Sequence, residues 1–302
     1  MRRRTRRRIV AGTLIFGIAV AVYFLAGYKR EDRHITVGWK NSVEESVLAE
    51  ILIQRIERTA GHGVVLRHPP LANTQAAHEA LIVDEVDLCP EYASTALVST
   101  LHLPVTADVQ SIREQVRENY RERYQVEWLG PLGFDAAAAL VARQDYAAKN
   151  GLHKMSDLNG AAGCCLLAVG KDFEQREDGL TLLARSYKLP LRGAPQLLDE
   201  TQLYTALNNS QVNVISGRVT DGWIQSGNYA VLADDKQAFP PNEAGILVRS
   251  STLEKFPALG GALRGLCGKI DSATMRQMNA AVALQRRRPA DVAAEFMKSA
   301  GL

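Results

Sequence analysis

A handful of loops carry the residue types that could bind a small molecule. Gly38-Trp39-Lys40-Asn41-Ser42-Val43-Glu44-Glu45 follows a short apolar run and opens a helical pattern. Free backbone N–H groups at a helix start, with a lysine beside them, suit an anionic ligand group. Asp87-Leu88-Cys89-Pro90-Glu91-Tyr92-Ala93-Ser94-Thr95-Ala96 again joins a strand end to a helix start, and Arg176-Glu177-Asp178-Gly179, Thr220-Asp221-Gly222 and Phe239-Pro240-Pro241 are further strand-exit loops. Taken singly, each reads as structural: a surface lysine, a packing tyrosine, a capping aspartate. Their common position at strand exits is what points to a site.

Covalent chemistry finds no such support. The six histidines form no H-E-x-x-H pair and have no cysteine partners at zinc spacing. There is no G-x-S-x-G, no phosphate-binding loop and no G-x-G-x-x-G after a strand. The acid pairs Asp84-Glu85 and Asp234-Asp235 read as solvent-facing. No enzyme activity, cofactor or metal is expected. Cys89, Cys164, Cys165 and Cys267 make neither a metal motif nor a dense disulfide framework, and Cys164-Cys165 lies in an apolar run that reads as core.

The elements that must position these loops alternate. Ile35–Gly38, Val64–Leu66 and Val86–Cys89 read as strands; a helix carrying Leu48, Ile51, Leu52 and Ile56 ends near Gly61, and Thr74–Glu85 is a second. Ser111-x-x-Glu114 and Ser251-x-x-Glu254 have capping-box spacing. Later strands are expected at Ala138–Val141, Cys164–Val169, Val212–Ile215, Ala230–Leu232 and Ile246–Val248, with helices from about Ser251 and Pro289 in a first turn. Alternation of this kind means α/β architecture. Gly130-Pro131-Leu132-Gly133 and Phe239-Pro240-Pro241-Asn242 read as crossovers, which predicts two lobes, residues 35–133 with 239–302 and residues 134–238, and a ligand in the cleft between them.

The chain has 302 residues, enough for a large core, and 46% hydrophobic with 23% charged residues excludes disorder and a polytopic membrane protein. Six of its 36 basic residues lie in the first eight positions; without them 30 basic face 33 acidic residues, so no nucleic-acid surface is implied. Ile9–Gly27 then runs nineteen residues without a charge, the length of one bilayer crossing. Residues 1–34 read as a basic start, a single transmembrane anchor and a linker, with the N-terminus cytoplasmic and the body exported. A cleaved signal peptide is the competing reading.

At the loops named above, the sequence resembles the glycine betaine/choline (osmoprotectant, quaternary-amine) substrate-binding proteins of ABC importers. Those proteins read like G-S-K-N-F-T-E, D-L-Y-P-E-Y-T-G-T, P-L-G-F-N-N-T-Y, R-x-D-G, Y-S-T-D-G and F-P-P-Y in the same order, and the resemblance runs from Ile35 to the C-terminus. It implies a type II periplasmic-binding-protein fold at the bacterial inner membrane, with permease and ATPase subunits as partners. It also implies a carboxylate clamp of Lys40, Thr95 and Arg176, and a box of tyrosines for a trimethylammonium head. Tyr92 matches one box tyrosine, whereas Ala138, Arg218 and Asn242 stand at the other three. Each ring over a cation contributes about 0.5 to 2 kcal/mol, so three missing rings weaken betaine binding by roughly 10- to 10⁴-fold. Trp39 is the candidate replacement wall, and Asp135, Glu91 or Glu243 the candidate counter-charge. The expected ligand is a small zwitterion or carboxylate with Arg218 and Asn242 reshaping the far end. The rival expectation is a membrane-anchored sensory or protein-interaction domain derived from such a binding protein.

Overall fold

The computed structural model describes residues 34–104, 108–160, 165–189 and 191–302. The expected span Ile9–Gly27 lies outside them, and among the described residues no helix is long and apolar enough to cross a membrane.

Among the described residues, ten strands form two sheets of five. β1 (Ile35–Val37), β2 (Val65–Arg67), β3 (Leu88–Tyr92), β4 (Val126–Leu129) and β10 (Ala244–Arg249) make the first, in the order β2-β1-β3-β10-β4. β5 (Ala138–Arg143), β6 (Leu167–Gly170), β7 (Gln196–Leu198), β8 (Val214–Arg218) and β9 (Tyr229–Leu232) make the second, in the order β7-β6-β8-β5-β9. The plans correspond. In each sheet the fourth position is filled antiparallel, by β10 against β3 and β4 and by β5 against β8 and β9. Each of these strands is the first one formed after the chain passes from the other sheet.

The Val43–Ala60 helix shows how the sequence builds these layers. Ser42 caps it by accepting from the Glu45 N–H, Gly61 ends it at φ 100°, and Val47, Leu48, Ile51, Leu52 and Ile56 sit on its buried side. Each such side chain contributes roughly 1.5–3 kcal/mol by burial. They join Ile35, Val37, Ile246 and Val248 in a core on one side of the first sheet, while Leu81, Leu97, Val116 and Tyr120 form the core on the other. The second sheet is likewise flanked by two clusters, one around Leu140, Phe173 and Tyr187, the other around Val141, Leu203 and Ile215.

Several expected bounds move. Thr74–Glu85 stops at Ile82, because Asp84 takes a left-handed φ of 70° that a helix cannot continue. Ser111 does not cap: Asp108 accepts from the Gln110 and Ser111 N–H groups, so the helix is Val109–Tyr124 with Ser111 inside it. The helix Ser250–Lys255 begins ahead of the expected Ser251 box. The strand expected from Cys164 begins at Leu167; Cys89 and Cys165 are buried free thiols and Cys267 is also free. β4 and β7 were not expected at all.

Candidate functional site

Between segments of the two sheets lies a cavity of about 230 Å³ with Ala138, Phe173, Arg176, Tyr204, Arg218 and Asn279 among its walls. A smaller one of about 60 Å³ is lined by Lys40, Glu45, Asp172 and Asp199, and Ser42, Glu200 and Arg218 are common to both. Lys40 and Arg176 therefore line different cavities.

Each cation of the expected clamp is already engaged. Lys40, 5% exposed, places Nζ 2.9 Å from Glu91 Oε1, 3.1 Å from Glu45 Oε1 and 3.3 Å from Thr74 Oγ1. Burial opposes its charge, but Glu45 and Glu91 outweigh that and hold its pKa above the ordinary value. The helix start expected to receive an anion is filled from within, since Glu45 Oε2 accepts from the Lys40 N–H at 2.6 Å. Burial lifts the Glu45 carboxyl to about 7 against the pull of Lys40.

Arg176, 6% exposed, gives Nε to Asp178 Oδ1 at 2.9 Å, Nη1 to Asp172 Oδ2 at 3.1 Å and Nη2 to Asp178 Oδ2 at 3.3 Å. Thr95 donates to Asp178 Oδ2 at 3.4 Å and accepts from Asn242 Nδ2 at 3.0 Å. Burial works against the charge on Asp172, yet Arg176 and Lys40 hold its carboxyl well below the usual range. The glycine of Arg176-Glu177-Asp178-Gly179 has a steric cause: a Cβ at Gly179 would stand 1.9 Å from the Phe173 carbonyl oxygen.

The four box positions diverge. Tyr92, fully buried at the end of β3, donates to Glu44 Oε1 at 2.6 Å, and the Arg218 guanidinium lies 4.3 Å from its ring centroid. A cation thus already faces this ring, and it belongs to the protein. Ala138 and Arg218 are register partners on β5 and β8, so the small side chain stands beside the large one. Asn242 does not line the cavity. Its Oδ1 accepts from the Ser94 and Thr95 N–H groups at 3.0 and 3.2 Å, while its own N–H donates to Asp135 Oδ1 at 2.8 Å, tying the two crossovers together. Trp39 packs on the first sheet's core. Of the candidate counter-charges, Glu91 pairs with Lys40, Asp135 with Asn242 and Glu243 with Arg113 at 2.7 Å.

The acids that do line the cavity are Glu44, Glu200 and Asp221. Burial pushes Asp221 up to about 6, although the Arg218 N–H and the Tyr204 hydroxyl, at 3.1 and 2.8 Å, favour its charge. Burial also raises Glu200, with Arg218 opposing. Tyr204 stacks on Trp223 with centroids 5.5 Å apart, and both are cavity walls. Glu44 and Asp221 lie in loops the sequence already marks, whereas Tyr204 and Asn279 lie mid-helix, where nothing separates a wall residue from a core one. Trp223, directly after Thr220-Asp221-Gly222, could have been found.

Residues 33–299 match the family described as the substrate binding domain of ABC-type glycine betaine transport systems. The carnitine transport binding protein of Listeria monocytogenes is 30% identical over 267 residues, covering 87% of this chain and 86% of that one. An ergothioneine transport permease/ergothioneine binding protein of Helicobacter pylori is 29% identical over 98% of this chain, which spans 54% of that protein's length. Among solved structures, a glycine betaine/carnitine/choline ABC transporter protein superposes with a TM-score of 0.71 at 25% identity, covering 88% of this chain and 98% of the other.

Proposed function

The chain belongs to the family of substrate-binding domains of ABC-type glycine betaine transport systems, and from that membership we propose that it captures a small zwitterionic solute outside the cytoplasmic membrane and hands it to a permease driven by an ATPase. The two-sheet α/β body is that of periplasmic binding proteins, and such proteins bind and release rather than transform their solutes. Residues 35–133 with 239–302 form one lobe of this reading and 134–238 the other, hinged at the crossovers that Asn242 and Asp135 tie together. The Ile9–Gly27 stretch is its single membrane anchor.

The observation that carries the reading is the cavity lined from both sheets, with Arg218 and Glu200 opening onto it and onto its smaller neighbour. Betaine, carnitine and ergothioneine, the solutes in the names of its relatives, set the size and zwitterionic character of the solute sought. Specificity departs from plain betaine, because Arg218 takes the cation position over Tyr92 and no aromatic ring stands at Ala138. Arg176 and Lys40 act by holding the buried acids Asp172, Asp178, Glu45 and Glu91 in place beside the cavities.

The occupied clamp favours a second reading, a sensory or protein-interaction domain of the same descent that needs no tight solute. A thermal-shift series on the whole chain with glycine betaine, carnitine, choline and ergothioneine, and with the N–H-bearing glycine, 4-aminobutyrate and histidine, separates the two. A cognate solute at about 100-fold over its Kd adds about 2.7 kcal/mol to folding stability. A flat series supports the sensory reading instead.

A further inference from the structure

We infer that the solute bound here carries its positive charge on a group with N–H bonds, a primary or secondary ammonium, guanidinium or imidazolium, and not on a quaternary ammonium. The inference rests on the reading of the chain as a solute-binding protein and names the class of solute.

Orphaned polar atoms carry the argument. Asn279, 2% exposed, lines the cavity; its Nδ2 donates to Glu44 Oε2 at 2.8 Å and to the Thr220 carbonyl at 2.9 Å, which leaves Oδ1 as the acceptor with no partner. A buried acceptor without a donor is costly, and a ligand that supplies the donor recovers that cost. A trimethylammonium has no N–H to give. Glu44, Glu200 and Asp221 line the same cavity. Against them stand Arg176, whose three nitrogens are all bonded to Asp172 and Asp178, and Arg218. The balance favours a cation.

The quaternary alternative fails at its own recognition surface. The Arg218 guanidinium stands 4.3 Å from the centroid of Tyr92, the one ring surviving at the four box positions, so a second cation there meets like charge. Arg218 also has a buried Nη1 with no partner. It is the orphaned donor matching Asn279 Oδ1, and it suits a carboxylate or carbonyl on the same solute. The solute is thus an N–H-bearing zwitterion, amino-acid-like in its chemistry.

The test uses the full chain in detergent and calorimetry with pairs that differ only in N-methylation: glycine betaine against glycine and sarcosine, γ-butyrobetaine against 4-aminobutyrate, histidine betaine against histidine. In any pair that binds, the N–H member is expected to bind about 10- to 100-fold tighter, the range for a hydrogen bond to a charged group. Asn279→Leu should abolish the preference. Because Asn279 also holds Glu44, Glu200→Gln serves as a second variant, and it should reduce binding of the N–H member more than that of its methylated partner. A trimethylated member binding as well as or better than its N–H partner overturns the inference and leaves the solute-binding reading standing. Silence across every pair and in the thermal-shift series overturns both.

Discussion

Lys40 illustrates why a charged residue's neighbours decide its role. Its ammonium is buried with two carboxylates, Glu45 and Glu91, and the Tyr92 ring centroid is 5.3 Å from Nζ. Removing one partner from a buried ion cluster leaves the others uncompensated, at a cost of about 3–5 kcal/mol. Lys40→Met is therefore expected to lower the unfolding free energy by about that amount, measured by denaturant titration. A clamp lysine whose main work is on the solute would give the opposite pattern, a large loss of affinity with stability nearly unchanged. The identity of Lys40 as a key residue was readable from its loop. Its partners were not, because Glu91 is 51 positions away and only the pairing of β1 with β3 brings it near.

Elements were legible where periodicity was long and obscure where it was short. The Val43–Ala60 helix is legible with its opening loop and its end because 18 residues repeat the apolar spacing, whereas the Ser42 cap is not. β7 is three residues at a sheet edge with Leu197 49% exposed, and nothing in Gln196-Leu197-Leu198 distinguishes it from a loop. β4 carries Glu127 between apolar residues right after a helix, and its pairing with β10, over 110 positions on, is what makes it a strand. The crossovers are visible through their Pro and Gly, whereas the close approach at Gly222, outside both, is not. Gly222 opens a short 3₁₀ turn after β8, and a Cβ there would lie 2.3 Å from both Asn279 C and Ala280 N of the Ser272–Ala283 helix. Gly222→Ala must push this turn off the helix that carries Asn279. Overpacking of this kind costs about 1–3 kcal/mol, and scanning calorimetry with ligand titration is expected to show that loss together with weakened solute binding. Unchanged affinity would mean that the contact does not support the cavity.

At the scale of the whole molecule, hydrogen bonds reach from segments around one sheet to segments around the other. The Thr74 N–H donates to Asp172 Oδ1 at 2.8 Å, Ser99 Oγ to Asp178 Oδ1 at 3.1 Å, and Arg276 Nε to the Val219 carbonyl at 3.1 Å. Eight carboxylates, Glu44, Glu45, Glu91, Asp172, Asp178, Asp199, Glu200 and Asp221, share this region with Lys40, Lys171, Arg176 and Arg218. That excess makes the body respond to pH in a definite sense. Asp221 rises from 3.8 to about 6 and Glu45 from 4.5 to about 7 on folding. Acids raised in this way favour the fold while protonated. Their contribution is complete below the unfolded values and is lost as pH rises through about 6 to 7. Asp172, held down, acts oppositely, and its contribution is lost as pH falls below the ordinary carboxylate range. A cationic solute needs Asp221 ionised, so its affinity must rise with pH across the window in which stability falls. A cation beside a carboxylate lowers that carboxylate's pKa by about one unit or more, so affinity measured from about pH 5 to about pH 7.5 is expected to rise about tenfold. In Asp221→Asn most of that rise should vanish. A wild-type profile that is flat, or that climbs toward acid, would show that the cavity does not hold its solute by the positive end.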